Sequence, residues 1–595
     1  MTLPLPEAPS PRKPIRLWPG VAIVALQWIV RYAVPAVVPG AFVFGMLGGI
    51  AGGALVLLWW LFISRVPWAE RLGAVALLIA VFFANPYYLH ESVATSGRGM
   101  LFLMLAIPGM SLALVLSAAI GRLLADLPRR LVMAALIVLA AGGWALVRTS
   151  GVTGDFQSQF QWRWSTTPEE RLLARAAEPF PAAPTPAAPA PQPHPPSPPA
   201  QISTLPPAEP PAEWPGFRGP GRDGIIRGAR IATDWSASPP VNLWRRPVGP
   251  GWSSFAVQRD RLFTQEQRGP DEIVACYNLN TGAPLWAHRD RTRFYEATGG
   301  PGPRATPALA GGRVFALGAT GILNALDAAT GVLIWSRNLT TGTGAKVPYW
   351  GFAGSPLVLG DLLVVAASGR LAAYDLASGN LRWLGPEGRV SYSSPHFATL
   401  GGVAQILLLN AAGAVSVAPA DGKLLWEHAW TGSTMLQPAI SGGNVLLSAN
   451  EDAGGIGIRR LAVLHEPAGW RAEERWTSAG LKPFFNDFVV HDGHLYGFDA
   501  RILACIGLED GARKWKGGRY GHGQLILLTD QSLLLVLSEE GGLALVTASP
   551  GEFKELARFP AIEGKTWNHP VLVRDILLVR NDQEMAAYRL APAAN

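Results

Sequence analysis

Cysteine is almost absent from this chain, with two in 595 residues. Cys276 and Cys505 occupy matching places in copies of a repeated phrase that lie several units apart. A disulfide needs Cα atoms within about 7 Å, so two separate buried thiols are expected. Charge is also scarce. Charged residues make up 16% of the chain and apolar ones 49%, with a mean hydropathy of +0.20. That balance excludes an ordinary water-exposed globular protein and implies that part of the chain lives in lipid. A Gly-x-Ser-x-Gly elbow, a His-Glu-x-x-His pair, a phosphate-cradling loop and a compact calcium loop are all missing, so none of the chemistries those motifs support is indicated. The formal charge of +7 does not point to nucleic acid. Residues 1–150 hold 11 basic and 4 acidic residues, and the remainder holds 39 of each. The basic excess therefore lies in the apolar part and reads as a membrane topology signal.

Five apolar stretches occur there, at about 17–34, 40–63, 72–89, 100–120 and 131–148. Each approaches the roughly 17 to 25 residues that a helix needs to cross a bilayer, and backbone pairing in lipid requires helices. Arg12, Lys13 and Arg16 precede the first stretch, Arg65 and Arg71 follow the second, and Arg122, Arg129 and Arg130 follow the fourth. The positive-inside rule then predicts a cytoplasmic N terminus, five crossings, and residue 149 onward on the outer side of the inner membrane, in the periplasm. No cleaved leader is expected. The glycines at 48, 49, 52 and 53 read as helix-packing positions.

Residues 151–213 read as a connector. A short interfacial helix is expected within 155–178, with Trp162 and Trp164 at headgroup level and Pro168 interrupting it. A Pro/Ala-rich run follows, expected to be an extended polyproline spacer. His194 lies alone inside that run.

From residue 214 a phrase recurs with the consensus Ala, one residue, Tyr or Leu, Asp or Asn, two residues, Thr, Ser or Asp, Gly, three residues, Trp. Clean copies end at Trp286, Trp335 and Trp383, and degraded copies at Trp426, Trp476 and Trp515. The spacing of about 40 to 50 residues signals a repeat architecture. Each unit reads as four short strands, which is a propeller blade. The third strand can be counted eight times, at Cys276, Ala325, Ala373, Ser416, Ala462, Ala504, Leu545 and Ala587. The eighth copy has no fourth strand after it, and Trp244 has no third strand before it. Pairing the two would close the ring and remove exposed edges. The expected fold is an all-β eight-bladed propeller over 214–595, preceded by an α-helical membrane domain of five spans over 1–150. The tryptophans, Trp244 among them, are expected to wedge between blades as structural residues.

Chemistry in a propeller gathers where the inner strands open into the central channel. The residues expected there include Trp252, Ser253, Arg304, Trp350, Phe352, Tyr392, Met435, Gln437, Phe485, Asn486, Asp487, His522, Gln524, Trp567, Asn568 and His569. A planar ligand could stack on this aromatic set while Arg304 pairs with a carboxylate. Filling and hydration of the channel is the plainer use of the same residues. Glu451, Asn486, Asp487 and Asn568 offer oxygen atoms, but not in a calcium-loop pattern.

The phrase Ala325–Trp335 and its relatives resemble the tryptophan-docking motif of propellers built from pyrroloquinoline quinone (PQQ) repeats. The opening WPGFRGPGRDG at Trp214–Gly224 is similar to the domain start of PQQ-like repeat proteins, as are 485–499 and 566–590. The resemblance covers essentially all of 214–595. It implies one of two branches of the quinoprotein-dehydrogenase-like superfamily. One oxidises alcohols or sugars with PQQ and calcium and includes membrane-bound glucose dehydrogenases with five N-terminal spans. The other includes the outer-membrane β-barrel assembly lipoprotein, a scaffold with eight blades. The chain departs from the enzymes in lacking their adjacent cysteines and long insertions, and from the lipoprotein in lacking a lipobox. The expectation is a binding or scaffolding module at the cell envelope, with membrane lipid and an envelope protein as partners. The alternative is a PQQ-dependent dehydrogenase that passes electrons to membrane quinone. On that alternative the resemblance implies PQQ held by Trp252, Arg304, Tyr392, Asn486, His522, Trp567 and Asn568, with Asp487 as the base and no metal ligand assigned.

Overall fold

The computed structural model describes residues 15–38, 41–97, 99–154, 157–175, 180, 211–432, 435–451 and 454–593. The N-terminal basic pair Arg12 and Lys13, Arg98, and the Pro/Ala-rich run from 181 to 210 with His194 lie outside the described residues. The chain divides into two units. One comprises 1–153, 157–165 and 296–299; the other comprises 154–156, 166–295 and 300–595.

In the first unit, four helices among the described residues are long and apolar enough to span a membrane. They are Trp18–Val37, Phe44–Ile63, Met100–Gly121 and Asp126–Leu146. Four replaces the expected five. The stretch at 72–89 forms the helix Trp68–Phe83, only 16 residues long. Asn85 and Pro86 then start a separate turn, Asn85–Tyr88. At 1.5 Å per residue, 16 residues reach about 24 Å, short of the ~30 Å hydrocarbon core. The start of this helix is also polar: Glu70 is buried against Arg129, whose Nε donates to both Glu70 oxygens at 2.8 and 3.0 Å. Glycine permits close packing between the long helices. A Cβ on Gly52 would sit 2.6 Å from Gln27, and one on Gly53 would sit 2.3 Å from Ile107. His90 accepts from Ser92 N and caps the turn Glu91–Ala94.

The connector differs from a single helix. Val147–Val152 and Ser158–Trp162 form a hairpin, and Trp162 stacks on Trp164 at 5.2 Å. Pro168 opens the helix Pro168–Ala174 rather than interrupting one. At that position its missing N–H costs nothing, because first-turn amides have no intrahelical partner. Thr167 and Glu170 close a capping box at this end.

The second unit is a propeller. Eight antiparallel sheets of four blade strands each follow in chain order. The first blade is Ala256–Gln258, Arg261–Arg268, Asp271–Asn278 and Pro284–Asp290. The eighth combines Val571–Val573, Ile576–Arg580 and Glu584–Arg589 with Val241–Pro247, in the register Ala587 opposite Trp244. The ring therefore closes by pairing the two ends of the domain, and the edge that either end alone would expose is absent. Each blade's core is a β-branched and leucine stripe buried against the next blade. The fifth blade departs from the others. Its third strand, Gly454–Glu466, runs 13 residues and its fourth, Gly469–Ser478, runs 10.

Antiparallel alternation gives the propeller two distinct faces. The inter-blade loops, from each outer strand to the next inner strand, all emerge on one face. The Asp-x-x-Thr-Gly turns emerge on the other.

Candidate functional site

The inner strands begin with short polar side chains, and these link blade to blade around the hub. Ser254 N donates to Thr306 Oγ1 at 3.0 Å, Thr306 N to Ser355 Oγ at 2.9 Å, and Ser355 N to Ser394 Oγ at 2.9 Å. On the far side Asp487 N donates to Gln524 Oε1, and Gln524 Nε2 donates to the carbonyls of Phe485 and Trp567 at 3.0 Å each. Asn568 Nδ2 donates to Ser253 O at 2.7 Å. Each bond satisfies a backbone group that the short inner strand leaves unpaired.

The channel inside this ring is filled by the segment Trp214–Gly224. Trp214 bridges Val257 of the first blade, and Pro215 O accepts from Leu309 N of the second. Arg222 donates to the carbonyls of Ser355 and Pro356 in the third, and its own carbonyl accepts from Gln437 of the fifth. Phe217 meets His569 of the eighth edge-on at 4.9 Å. Ile225–Ile226 then adds a parallel strand to the inner strand Gln524–Leu528 of the seventh. Gly224 turns the segment at φ +72, and a Cβ there would lie 3.1 Å from Arg218 Nη2.

Arg218 is the centre of this plug. Its Nη1 lies 3.2 Å from Asp487 Oδ1, and its Nη2 donates to Asp223 O at 2.9 Å and Phe488 O at 2.8 Å. His569 Nε2 lies 2.7 Å from Asp487 Oδ2. Asp487 is 1% exposed. Burial acts to raise its pKa, but Arg218 and His569 outweigh burial and hold the carboxyl below its ordinary range. The same neighbourhood keeps His396 neutral: burial, then Arg222 and Arg218, push it down to about 3. Arg222 is itself pushed down to about 9 by burial and by Arg218.

A second cluster joins the sixth, seventh and eighth blades to the first. Trp252 and Trp567 are in contact, with centroids 4.7 Å apart. The Lys565 ammonium lies 5.1 and 4.5 Å from their respective ring centres. Phe485 packs on Trp567 at 4.7 Å and on His522 at 5.5 Å. Trp567 Nε1 donates to Glu539 Oε1 at 2.9 Å, and His522 N donates to Glu539 Oε2 at 3.0 Å. Asn486 is buried, with its Oδ1 accepting from Phe484 N at 2.9 Å. Two of the named residues belong to other sectors. Arg304 donates to Gly300 O at 2.7 Å and Pro301 O at 3.3 Å and lies over Phe294. Tyr392 is buried against Trp350 at 4.8 Å.

These placements bear on the cofactor that the dehydrogenase branch implies. A planar ring held between two faces needs about 7 Å, two van der Waals contacts of ~3.5 Å, and the two indoles are in direct contact. The guanidinium of Arg304 is committed to loop carbonyls, and that of Arg218 to Asp487. Among the described residues no group of three or more His, Cys, Asp or Glu could hold a metal ion. The residues as placed do not fit a stacked quinone with a calcium ion beneath it.

The tryptophans of the phrase sit at blade junctions. Trp244, Trp286, Trp335, Trp383, Trp476 and Trp515 each donate Nε1 to a turn carbonyl of the following blade, at 2.7 to 3.3 Å. The glycine of that following turn lies flat on the ring. A Cβ on Gly379, at φ +69, would be 2.6 Å from Trp335. Trp426 differs and donates to Gln405 Oε1 of its own blade at 2.7 Å. The lengthened hairpin of the fifth blade offers it no Thr-Gly turn. Cys276 and Cys505 are both free and buried, and burial pushes the Cys505 thiol up to about 11.

The plug and its arginines were not read as site residues from the sequence. Their signal was present in the arginine- and glycine-rich opening WPGFRGPGRDG, which lies outside every blade.

Comparison with known proteins agrees with this architecture. The family model described as outer membrane protein assembly factor BamB matches residues 235–392 and 270–517. The propeller is related to the PQQ- and BamB-like propellers. BamB of Yersinia pestis is 22% identical over 371 residues, 57% of this chain and 86% of that protein. Tetrathionate hydrolase of Acidithiobacillus ferrooxidans is 26% identical over 256 residues, 38% of this chain; the match spans 47%, about half, of that relative's length. The structure of quinohemoprotein alcohol dehydrogenase from Comamonas testosteroni superposes with a TM-score of 0.45 at 13% identity, covering 64% of this chain and 81% of that one.

The BamB-like match also corrects the expected location. It points to an outer-membrane assembly-factor family and not to the inner membrane. The positive-inside rule put the N terminus in the cytoplasm, and the periplasmic propeller then rested on five crossings. With the four spans found among the described residues, an even number, the same count would return the chain to the side on which it began.

Proposed function

We propose that this protein is a binding or scaffolding module at the cell envelope, anchored by its apolar helices, with a protein partner engaged through the propeller loops. One observation carries this reading: the channel, where a propeller enzyme would hold substrate, is filled by the chain's own Trp214–Gly224. The best-placed acid, Asp487, is spent on Arg218 and His569. A general base must reach the proton that it abstracts, and a carboxylate 1% exposed beneath a plug does not. The match to BamB supports the same reading.

The competing reading, a PQQ-dependent alcohol or sugar dehydrogenase, makes a distinct prediction. Purified full chain in detergent is titrated with PQQ and calcium, and reduction of an artificial acceptor is followed across alcohols and sugars. The scaffold reading expects neither binding nor turnover. Saturable PQQ binding with acceptor reduction would overturn it.

A further inference from the structure

The two faces of the propeller treat their cations differently. On the face of the Asp-x-x-Thr-Gly turns, basic side chains are mostly spoken for. Arg313 donates to Leu376 O, Arg382 pairs with Asp375, Lys423 with Asp421, and Lys514 with Asp510. Arg259 and Lys554 are exceptions. On the inter-blade-loop face, Arg291, Lys346, Arg389 and Arg519 are exposed and Lys482 is half-buried. None of these five side chains has a hydrogen bond or ion pair among the described residues. They fall in or beside five of the eight inter-blade loops, one in each. Exposed acids on that face include Glu387, which pairs with Arg370 at 3.4 Å, together with Glu540 and Glu563.

Two of these loops carry exposed apolar residues next to the cation. Val347 is 43% exposed and Tyr349 37%, both beside Lys346; Val390, beside Arg389, is 36% exposed. Half-buried Trp350 lies at the base of the first of these loops. A cation adjoining Val, Tyr or Trp at a loop tip suits the boundary between headgroups and acyl chains. There the ammonium or guanidinium meets phosphate while the apolar side chain enters the interface. The chain also carries, among the described residues, four helices able to span a bilayer.

We propose that the inter-blade-loop face of the propeller is a docking surface for an anionic lipid bilayer, with Arg291, Lys346, Arg389 and Arg519 contacting headgroup phosphates and Val347, Tyr349 and Val390 entering the interface. The proposal does not rest on the scaffold reading, whose protein partner would then use the loops of the opposite face.

The test uses the full chain reconstituted in vesicles of phosphatidylcholine alone or with three parts in ten phosphatidylglycerol, with amide hydrogen exchange as the readout. Loops 344–351 and 386–391 are expected to exchange about fivefold more slowly in the anionic vesicles, and the difference is expected to fade in high salt. The triple variant Arg291→Gln, Lys346→Gln, Arg389→Gln should lose it. The strand Leu362–Ala367, buried in its blade, serves as the internal control for folding. Equal exchange in the two lipids, or undiminished slowing in a folded triple variant, would overturn the proposal. Slowing produced instead by soluble polyglutamate, with no lipid dependence, would reassign the face to an acidic protein and equally overturn it.

Discussion

Replacing Asp487 by Asn removes the carboxylate that faces Arg218 at 3.2 Å and His569 at 2.7 Å. The guanidinium would stay buried without a counter-charge, which costs about 3 to 5 kcal/mol. Chemical denaturation of the full chain in detergent should show that loss. Combining Asp487→Leu with Arg218→Met should recover part of it, because both buried charges then disappear together. The sign of the pH dependence follows from the lowered pKa. This contribution is present above the unfolded carboxyl pKa and is lost as pH falls through the lower folded value. Glu272 behaves oppositely. Burial pushes its pKa up to about 7, so the fold prefers its neutral form. That preference is fully present below the unfolded pKa and is lost as pH rises through about 7. Glu272→Gln should therefore raise the Tm at pH 8, by up to about 3 kcal/mol of stability, and leave it nearly unchanged at pH 4. Neither behaviour was legible in the sequence, because both depend on which distant side chains burial brings near.

The repeated phrase acts at the scale of the element. Its Asp accepts the turn amides, as Asp327 does from Ala329 and Thr330. Its Gly takes the left-handed conformation and its Trp reaches the neighbouring blade. Gly379→Ala should cost about 1 to 3 kcal/mol, because a Cβ would press on Trp335 and the backbone would be strained. Trp335→Phe keeps most of the packing but gives up the bond to Leu376 O, for a loss of about 1 kcal/mol. Both are measurable as shifts in the denaturation midpoint, and Trp335→Phe should speed exchange at the Leu376 to Asn380 turn, which it contacts, less than Gly379→Ala does there. Trp426 shows where the pattern stops being informative. Its degraded phrase still supplies the Trp, yet the partner turn is missing because the next blade carries a longer hairpin. The apolar stretch at 72–89 makes the same point among the helices. Composition suggested a span, but Asn85–Pro86 ends the helix early and the Glu70–Arg129 pair claims its other end.

At the scale of the whole molecule, closure by Val241–Pro247 ties the start of the domain to its last strand across more than 300 residues, as in the bond from Asn242 to Ala587 O. Truncation after Arg580 should remove Glu584–Arg589 and expose a strand edge on the eighth blade. The shortened chain in detergent should aggregate on size-exclusion chromatography while the full chain elutes as a defined species. The period, the eight third strands and the orphaned Trp244 were enough to infer this ring from the sequence, because a repeat that buries each face against its neighbour writes the same residues into every copy. The candidate site was less legible. The sequence could place Asp487, Trp252 and Trp567 at the channel mouth, since the position of the inner strand in each copy is known. It could not show that Arg218, 269 residues before Asp487 in the chain, enters the channel and claims the acid, nor that Trp252 and Trp567 close on Lys565 rather than on a ligand. Periodic short-range patterning is a local property that repetition makes visible. A plug, a buried ion pair and an unpaired cationic face arise from contacts between residues far apart in the chain, and only the tertiary structure decided them.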